Sequence, residues 1–284
     1  MTSPNTSPTL SSLPGQAGPL AVYDWPLPDA PVLGTVLLVH GLGEHAGRYQ
    51  NVASHLRSWG FSVRAYDQQG HGRSAGPRGD MRSPGSLQAD LVSVIDDTRA
   101  RGPAPNSPLI LLGHSMGGLV VARTLAEGLC TVDAAVLSSP ALGATPNWLQ
   151  KCLLATLPKL APHLCVDNGL DAQFVARDPA VVQAYKDDPW VHRRISAGLA
   201  AWILAQGRQA VAEAPQWSVP TLLVYAGDDH LVQAAASTVW AQSAPEGLVQ
   251  AHCFEAMYHE VFHDPEQAQV FSLLKRWLLA RFSA

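Results

Sequence analysis

The chain has 284 residues, 47% hydrophobic and 15% charged, with a formal net charge of −4. At about 150 residues per domain this allows one large domain or two small ones, and so apolar a composition excludes disorder over most of the length. Lys and Arg number 19 against 23 Asp and Glu, so there is no basic stripe for a phosphate backbone and nucleic acid is excluded as a partner. No apolar run approaches the roughly 18 residues of a membrane-spanning helix.

Residues 1–19 carry Pro4, Pro8, Pro14 and Pro19 among Ser and Thr, and too few large apolar side chains to order alone, so a disordered tail is expected. The first basic residue is Arg48; with no basic n-region and no apolar h-region the chain reads as cytoplasmic. Short β-branched or Leu-rich runs follow at 35–39, 62–66, 109–112, 134–137, 221–225 and 249–254, and these predict buried parallel strands. Helical spacing separates them, first in Leu87, Leu91, Val94, Ile95 and Thr98, then in Leu119, Val120, Arg123 and Leu125. A last helix is signalled by Asp264 as N-cap, Pro265 at the first position and Gln267 closing a capping box, with Val270, Leu274, Trp277 and Leu278 on one face. Strand and helix in alternation predict an α/β fold, a mostly parallel central sheet with helices on both faces.

One stretch breaks the rhythm. Residues 144–212 hold no strand-like run, but contain Leu-rich helical pieces and the bulky Trp148, Phe174, Trp190, Ile195 and Trp202. A stretch of this length is expected to form a helical cap inserted into a core made of 20–143 and 213–284. Cys130, Cys152, Cys165 and Cys253 show no CxxC pair and no ligand-like spacing with His, so neither metal nor disulfide framework is expected, and pairing of Cys152 with Cys165 is disfavoured. No glycine-rich phosphate loop occurs, and no cofactor is expected.

The chemistry is carried by Gly113-His114-Ser115-Met116-Gly117-Gly118. A Gly-x-Ser-x-Gly between strand and helix is the setting of a nucleophile elbow, where the glycines are needed because a Cβ beside the turn would meet backbone. The N–H after the nucleophile, that of Met116, is one candidate oxyanion donor. Leu42, between Gly41 and Gly43 in the loop after the first parallel strand, is the other. The expected chain order is Ser, acid, His. Asp228-Asp229 follow the run at 221–225, and His259 lies in the loop after 249–254. Spacing favours Asp229 as the acid, with Asp228 a turn residue. His40, His252 and His263 read as structural histidines, and the loop from Asp67 to Ser74 reads as scaffold cross-braced by Asp67 and Arg73.

The strings His40-Gly41-Leu42-Gly43-Glu44-His45-Ala46-Gly47-Arg48-Tyr49, Tyr66-Asp67-Gln68-Gln69-Gly70-His71-Gly72-Arg73-Ser74, Gly113 to Gly118 and Tyr258-His259-Glu260 resemble the monoacylglycerol lipase and lysophospholipase family of α/β-hydrolases. The resemblance extends over about 21–281 and includes Arg177-Asp178-Pro179 and Asp188-Pro189-Trp190-Val191-His192. One departure is Ala226, where such enzymes usually have Gly before the acid. The resemblance implies an α/β-hydrolase fold, the triad Ser115, Asp229 and His259, and oxyanion positions at Leu42 and Met116. The expected activity is hydrolysis of a carboxylic ester with an apolar acyl chain, a monoacylglycerol first. A lysophospholipase, a general carboxylesterase and an aminopeptidase of the same fold are the enzymatic rivals, and a ligand receptor on a hydrolase scaffold the non-enzymatic one. The acyl chain is expected under the cap, against Leu149, Leu153, Leu157 and Trp202. The expected partner is a small lipid or ester, with transient contact to a membrane or micelle surface through the cap.

Overall fold

Strands Leu109–His114 and Thr221–Ala226 are buried at every position, and a strand without an exposed face must lie inside a sheet covered on both sides. The computed structural model, which describes residues 7–27, 32–101, 107–144 and 156–283, meets that condition with one eight-stranded sheet. Its strands are β1 (Thr9–Gly15), β2 (Gly18–Trp25), β3 (Gly34–Val39), β4 (Phe61–Tyr66), β5 (Leu109–His114), β6 (Ala134–Ser138), β9 (Thr221–Ala226) and β10 (Val249–Phe254). They lie in the order β1-β2-β4-β3-β5-β6-β9-β10. The six runs read from the sequence are the six parallel strands, while β2 is antiparallel to both β1 and β4.

Alternate residues of the parallel strands feed two separate cores, as the period of two requires. Leu37, Val39, Leu111, Leu137 and Leu223 face one way, onto helices α2 (Ser86–Arg101) and α3 (Met116–Ala126). Val36, Leu38, Ile110, Leu112 and Val224 face the other, onto α1 (Gln50–Ser58) and the last helix, Gln267–Phe282.

Three expectations are corrected. Residues 9–15 are not a loose tail: they pair with β2 in a seven-residue antiparallel register, an edge position where the missing N–H of Pro14 costs nothing. The insertion does contain strands, β7 (Cys165–Asp167) and β8 (Arg194–Ser196), which form a second, two-stranded sheet. Its helices are α4 (Pro179–Asp187) and α5 (Ala197–Glu213), and α5 buries Leu199, Trp202 and Ala210 in the first of the two cores. That helix therefore covers the sheet beside α3 and, with α6 (Ala234–Ser243), completes that layer. The last helix, α7, begins at Gln267 with Glu266 as N-cap. Asp264, the expected cap, is fully buried and accepts instead from Glu266 N–H and from the Arg177 guanidinium.

Helix α3 approaches the sheet more closely than any side chain allows. A Cβ on Gly113 would lie 2.6 Å from the Gly117 carbonyl oxygen, and one on Gly117 would run into the carbonyl oxygens of Val39 and His40. These are backbone atoms with nowhere to move. Gly117→Ala should therefore cost about 3 kcal/mol or more, measured by urea unfolding; a loss below about 1 kcal/mol would show that the helix can shift outward.

Candidate active site

Ser115 sits between the end of β5 and the first residue of α3 with φ 53° and ψ −120°. It is one of two residues other than glycine with positive φ among the described residues. Such strain persists only where the surroundings impose it. Here Ser115 N–H donates to Ser138 O at 3.0 Å, and its carbonyl accepts from Leu119 and Ala141 N–H groups at 3.1 and 3.0 Å. The side chain is left partly exposed above the sheet edge. Met116 N–H, at the start of α3, belongs to the first turn that has no intrahelical acceptor. The loop carrying Leu42 passes beside the serine, since a Cβ on Gly41 would lie 3.1 Å from Ser115 Cβ. It turns at Gly43, φ +79°.

Asp229 and His259 are brought together as expected. His259 Nδ1 and Asp229 Oδ2 are 2.7 Å apart, with side-chain exposures of 6% and 1%. The other carboxylate oxygen, Oδ1, accepts from Leu231 and Val232 N–H groups at 2.8 and 2.9 Å, which fixes the acid and places the proton of the neutral imidazole on Nδ1. Burial alone would lower the His259 pKa, but the Asp229 carboxylate and its hydrogen bond, with Glu260 and Glu44, outweigh it and raise the value above the ordinary one. For Asp229 burial acts upward, and His259 with the two backbone donors brings the carboxyl below its usual range. The His259 ring lies 4.7 Å from that of His114, the residue before Ser115, tilted by 54°. Burial, and then His259, push His114 down to about 4, so it stays uncharged beside the base. Asp228 pairs with His230 at 3.1 Å at the surface, away from the imidazole.

Beneath these loops lies a buried ionic cluster to which the sequence reading assigned no role. Arg48 Nη1 donates to Glu44 Oε2 and to Glu260 Oε1, both at 2.6 Å, and Nη2 to Glu260 Oε2 at 2.7 Å. Glu44 Oε1 also accepts from Gly41 N–H at 2.6 Å and from Tyr49 OH at 2.8 Å. Burial raises the Glu260 carboxyl, but Arg48 and His263 more than offset it and hold it well below the usual value. Glu44, Arg48 and Glu260 all stand in the quoted motif strings. Three charges in a chain only 15% charged, beside an oxyanion loop and a base, were the available signal. His40 is structural as expected: its Nε2 accepts from Gln68 N–H at 2.9 Å, so Nδ1 donates to Gly41 O at 2.7 Å. The scaffold loop differs in detail, because Asp67 binds the backbone N–H of Arg73 at 2.7 Å while the Arg73 guanidinium lies 4.6 Å over Trp190.

Of the expected acyl-chain residues, Leu149, Leu153 and also Cys152 lie outside the described residues. Leu157 is half-buried, and Trp202 packs into the core cluster that contains Met116. A cavity of about 320 Å³ is lined by Ala141, Leu142, Ile203, Leu204, Val211 and Ala236, with Arg208 and Gln233 at its wall. One of its lining residues, Ala141, donates its N–H to the Ser115 carbonyl. Among the described residues no group of His, Cys, Asp or Glu side chains is arranged to hold a metal ion.

Two measurements probe this geometry. A base works only as neutral imidazole, so kcat/KM should rise with pH through a limb above the ordinary imidazole value of about 6.5; a flat profile between about pH 5 and 8 would remove His259 from the role. Asp229→Asn should lower kcat at least about 10³-fold, one decade inside the reference loss for an orienting acid, with Asp228→Asn within about tenfold of wild type. The reverse ranking would move the acid to Asp228.

Residues 30–266 match the family described as serine aminopeptidase, S33. A monoacylglycerol lipase of Mycolicibacterium smegmatis is 38% identical over 278 residues, 95% of this chain and 96% of the relative. Phospholipase YtpA of Bacillus subtilis is 31% identical, over 86% of this chain and 93% of its own. Among solved structures, the monoacylglycerol lipase of Paleococcus ferrophilus superposes with a TM-score of 0.80 at 30% identity, over 97% of this chain and 100% of that one. A monoglyceride lipase from Saccharomyces cerevisiae bound to a substrate analogue gives a TM-score of 0.90 at 21% identity, over 98% and 97% of the two chains, a likeness of fold. A family match over this span, joined to an elbow, an acid and a histidine in the expected order on the expected sheet, places the chain in the serine aminopeptidase S33 family of α/β-hydrolases.

Proposed function

We propose that this chain is a serine ester hydrolase that cleaves monoacylglycerols to glycerol and a fatty acid. The observation that carries the proposal is the 2.7 Å bond between Asp229 and His259, whose ring lies 4.7 Å from that of His114, the residue before the positive-φ Ser115. In this reading Ser115 Oγ attacks the ester carbonyl carbon while His259 Nε2, the nitrogen not engaged by Asp229, takes the hydroxyl proton. The tetrahedral oxyanion accepts from the Leu42 and Met116 N–H groups, which are aimed before the charge develops. Collapse breaks the carbon–oxygen bond to glycerol, and His259 returns its proton to that oxygen. Water then repeats the sequence on the acyl-serine and releases the fatty acid. The 38% identical relative named as a monoacylglycerol lipase supports the substrate class.

The cavity wall of Leu142, Ile203, Leu204 and Val211 suits an acyl chain, since each CH₂ removed from water is worth about 0.8 kcal/mol. In the same proposal the insertion is a cap that touches a membrane or micelle surface, supported by Leu160, Leu164 and Val166, which are 82%, 48% and 50% exposed. Among the described residues no helix is long and apolar enough to cross a membrane.

Ser115→Ala should abolish hydrolysis of monooleoylglycerol and labelling by a fluorophosphonate, with an expected loss on the order of 10⁶ in turnover; a folded variant that keeps more than about 1% activity would end the serine mechanism. Apparent affinity should climb from acetyl to octanoyl esters, and indifference to chain length would mean the cavity does not hold the acyl group. A clear preference for lysophospholipid over monoacylglycerol would favour the second reading, to which the phospholipase relative lends support.

A further inference from the structure

The segment 172–192 carries two motifs, Arg177-Asp178-Pro179 and Asp188 to His192, that the reaction above leaves without a part. Its centre is α4, nine residues from Pro179 to Asp187, or about 13.5 Å of helix. Both helix ends are firmly specified. Asp178 caps the start by accepting from Ala180 N–H at 2.8 Å, with Pro179 as the first residue, and Asp188 follows the last residue.

A polar clamp stands at each end. Before the helix, Arg177 Nε and Nη2 donate to the two oxygens of the fully buried Asp264 at 2.8 and 2.6 Å, and Val175 O accepts from Glu260 N–H at 2.8 Å. Both contacts hold the loop of His259. After the helix, Asp188 Oδ2 accepts from His45 Nε2 at 2.8 Å. The tautomer follows, because His45 Nδ1 accepts from Gly47 N–H and the proton must then be on Nε2. His192 N–H donates to Gly43 O at 2.8 Å. These two contacts hold the loop of Leu42. The acid loop is touched as well: Phe174 stacks 4.2 Å from His230 and meets Tyr258 at 5.8 Å. Leu231, whose N–H binds Asp229, packs on Ala172, Val175, Ala176 and Tyr185.

We propose that Arg177 and Asp188 are positioning residues, which act through α4 to set the loop of His259 and the loop of Leu42 at the separation the reaction needs. The proposal rests on the serine-hydrolase reading above. It makes part of the insertion a brace for the catalytic loops as well as a cover for the acyl chain. The two loops already share the Glu44–Arg48–Glu260 cluster, and α4 adds a second tie between them on the side of the insertion; a misplacement of about 1 Å can cost 10²-fold in rate.

The test compares Arg177→Met and Asp188→Ala with wild type on p-nitrophenyl acetate and p-nitrophenyl octanoate, with fluorophosphonate labelling of Ser115 and near-UV circular dichroism to confirm folding. A brace predicts a kcat lower by about 10- to 100-fold on both esters, a KM within about threefold, and labelling slowed in step. Folded variants with kcat within about twofold of wild type, or with a loss confined to the octanoyl ester, would overturn it. If either variant fails to fold, Arg177→Lys and Asp188→Asn, which each keep part of the clamp, should lower kcat on both esters by a smaller factor; kcat equal to wild type or a loss confined to the octanoyl ester would overturn the brace. Wild-type protein that neither labels nor cleaves either ester would overturn the serine-hydrolase reading and the brace with it. Active wild type with unaffected variants overturns the brace alone.

Discussion

The contact of Gly117 with the backbone of Val39 and His40 is the constraint on which the rest of the site depends. With a side chain excluded there, α3 drops against β3 and β5, and the chain can turn from strand to helix within the single residue Ser115. That residue then has no choice but φ 53°, a conformation costing of order 1–3 kcal/mol unless the surroundings impose it. The same approach brings the residue after β3 alongside the elbow, so the loop of Leu42 and the N-terminus of α3 face one point. One close contact between backbones thus accounts for both the strained turn at Ser115 and the nearness of the loop of Leu42 to it.

Electrostatics beneath the loops bear on the charge of His259. Glu44 and Glu260 share Arg48, an arrangement whose desolvation cost is repaid only when every partner is present. Here the partners are present: backbone, Tyr49 and His263 satisfy the remaining oxygens. Removal of Arg48 would leave two buried carboxylates unpaired. The two glutamates also act on His259, and together with Asp229 they stabilise its charged form against the burial that opposes it. The same field leaves His114 neutral because burial dominates there. Two histidines in ring contact are thereby held in opposite states of readiness, and only the one bonded to a carboxylate gains a proton easily.

The parallel strands were legible because buried strands write themselves as continuous apolar runs. The hairpin was not, because β1 reads Thr-Leu-Ser-Ser-Leu-Pro-Gly, a composition shared with loose tails; only its pairing with β2, a fact of tertiary structure, distinguishes the two. Strands β7 and β8 have three residues each and lie below any periodicity. The Asp264 signal failed for a different reason: the carboxylate fitted a helix cap, but the Arg177 guanidinium, 87 residues away in the chain, competes for it. In the site, Ser115 was legible from its motif between strand and helix, and Asp229 and His259, which the structure brings to 2.7 Å, from their loops after β9 and β10 together with the expected chain order. Arg48 and Glu260 stand 212 residues apart, and no local rule couples them. Ala226 also finds its place: it is the buried last residue of β9, and the close turn falls to Gly227, where a Cβ would lie 2.6 Å from Glu255 Cα.

Asp67 shows why the hairpin belongs to the catalytic scaffold although it is farthest from the acid and the base in the sheet order. Its Oδ2 accepts from Tyr23 OH at 2.9 Å and Arg73 N–H at 2.7 Å, and its Oδ1 from Ala46 N–H at 2.7 Å. One buried carboxylate therefore ties β2, the loop after β4 and the segment that continues from Leu42. Burial and the Asp67 carboxylate push the Tyr23 hydroxyl well above its usual range, so Tyr23 remains a donor at every pH at which His259 changes charge. The loop of Leu42 is consequently anchored from two directions, by Asp67 through the sheet and by Asp188 through the insertion. A loop held from one side can swing about its anchor. Held from two sides it is restrained, as the loop must be if, as proposed, its N–H is to stabilise an oxyanion without reorganising as the charge forms.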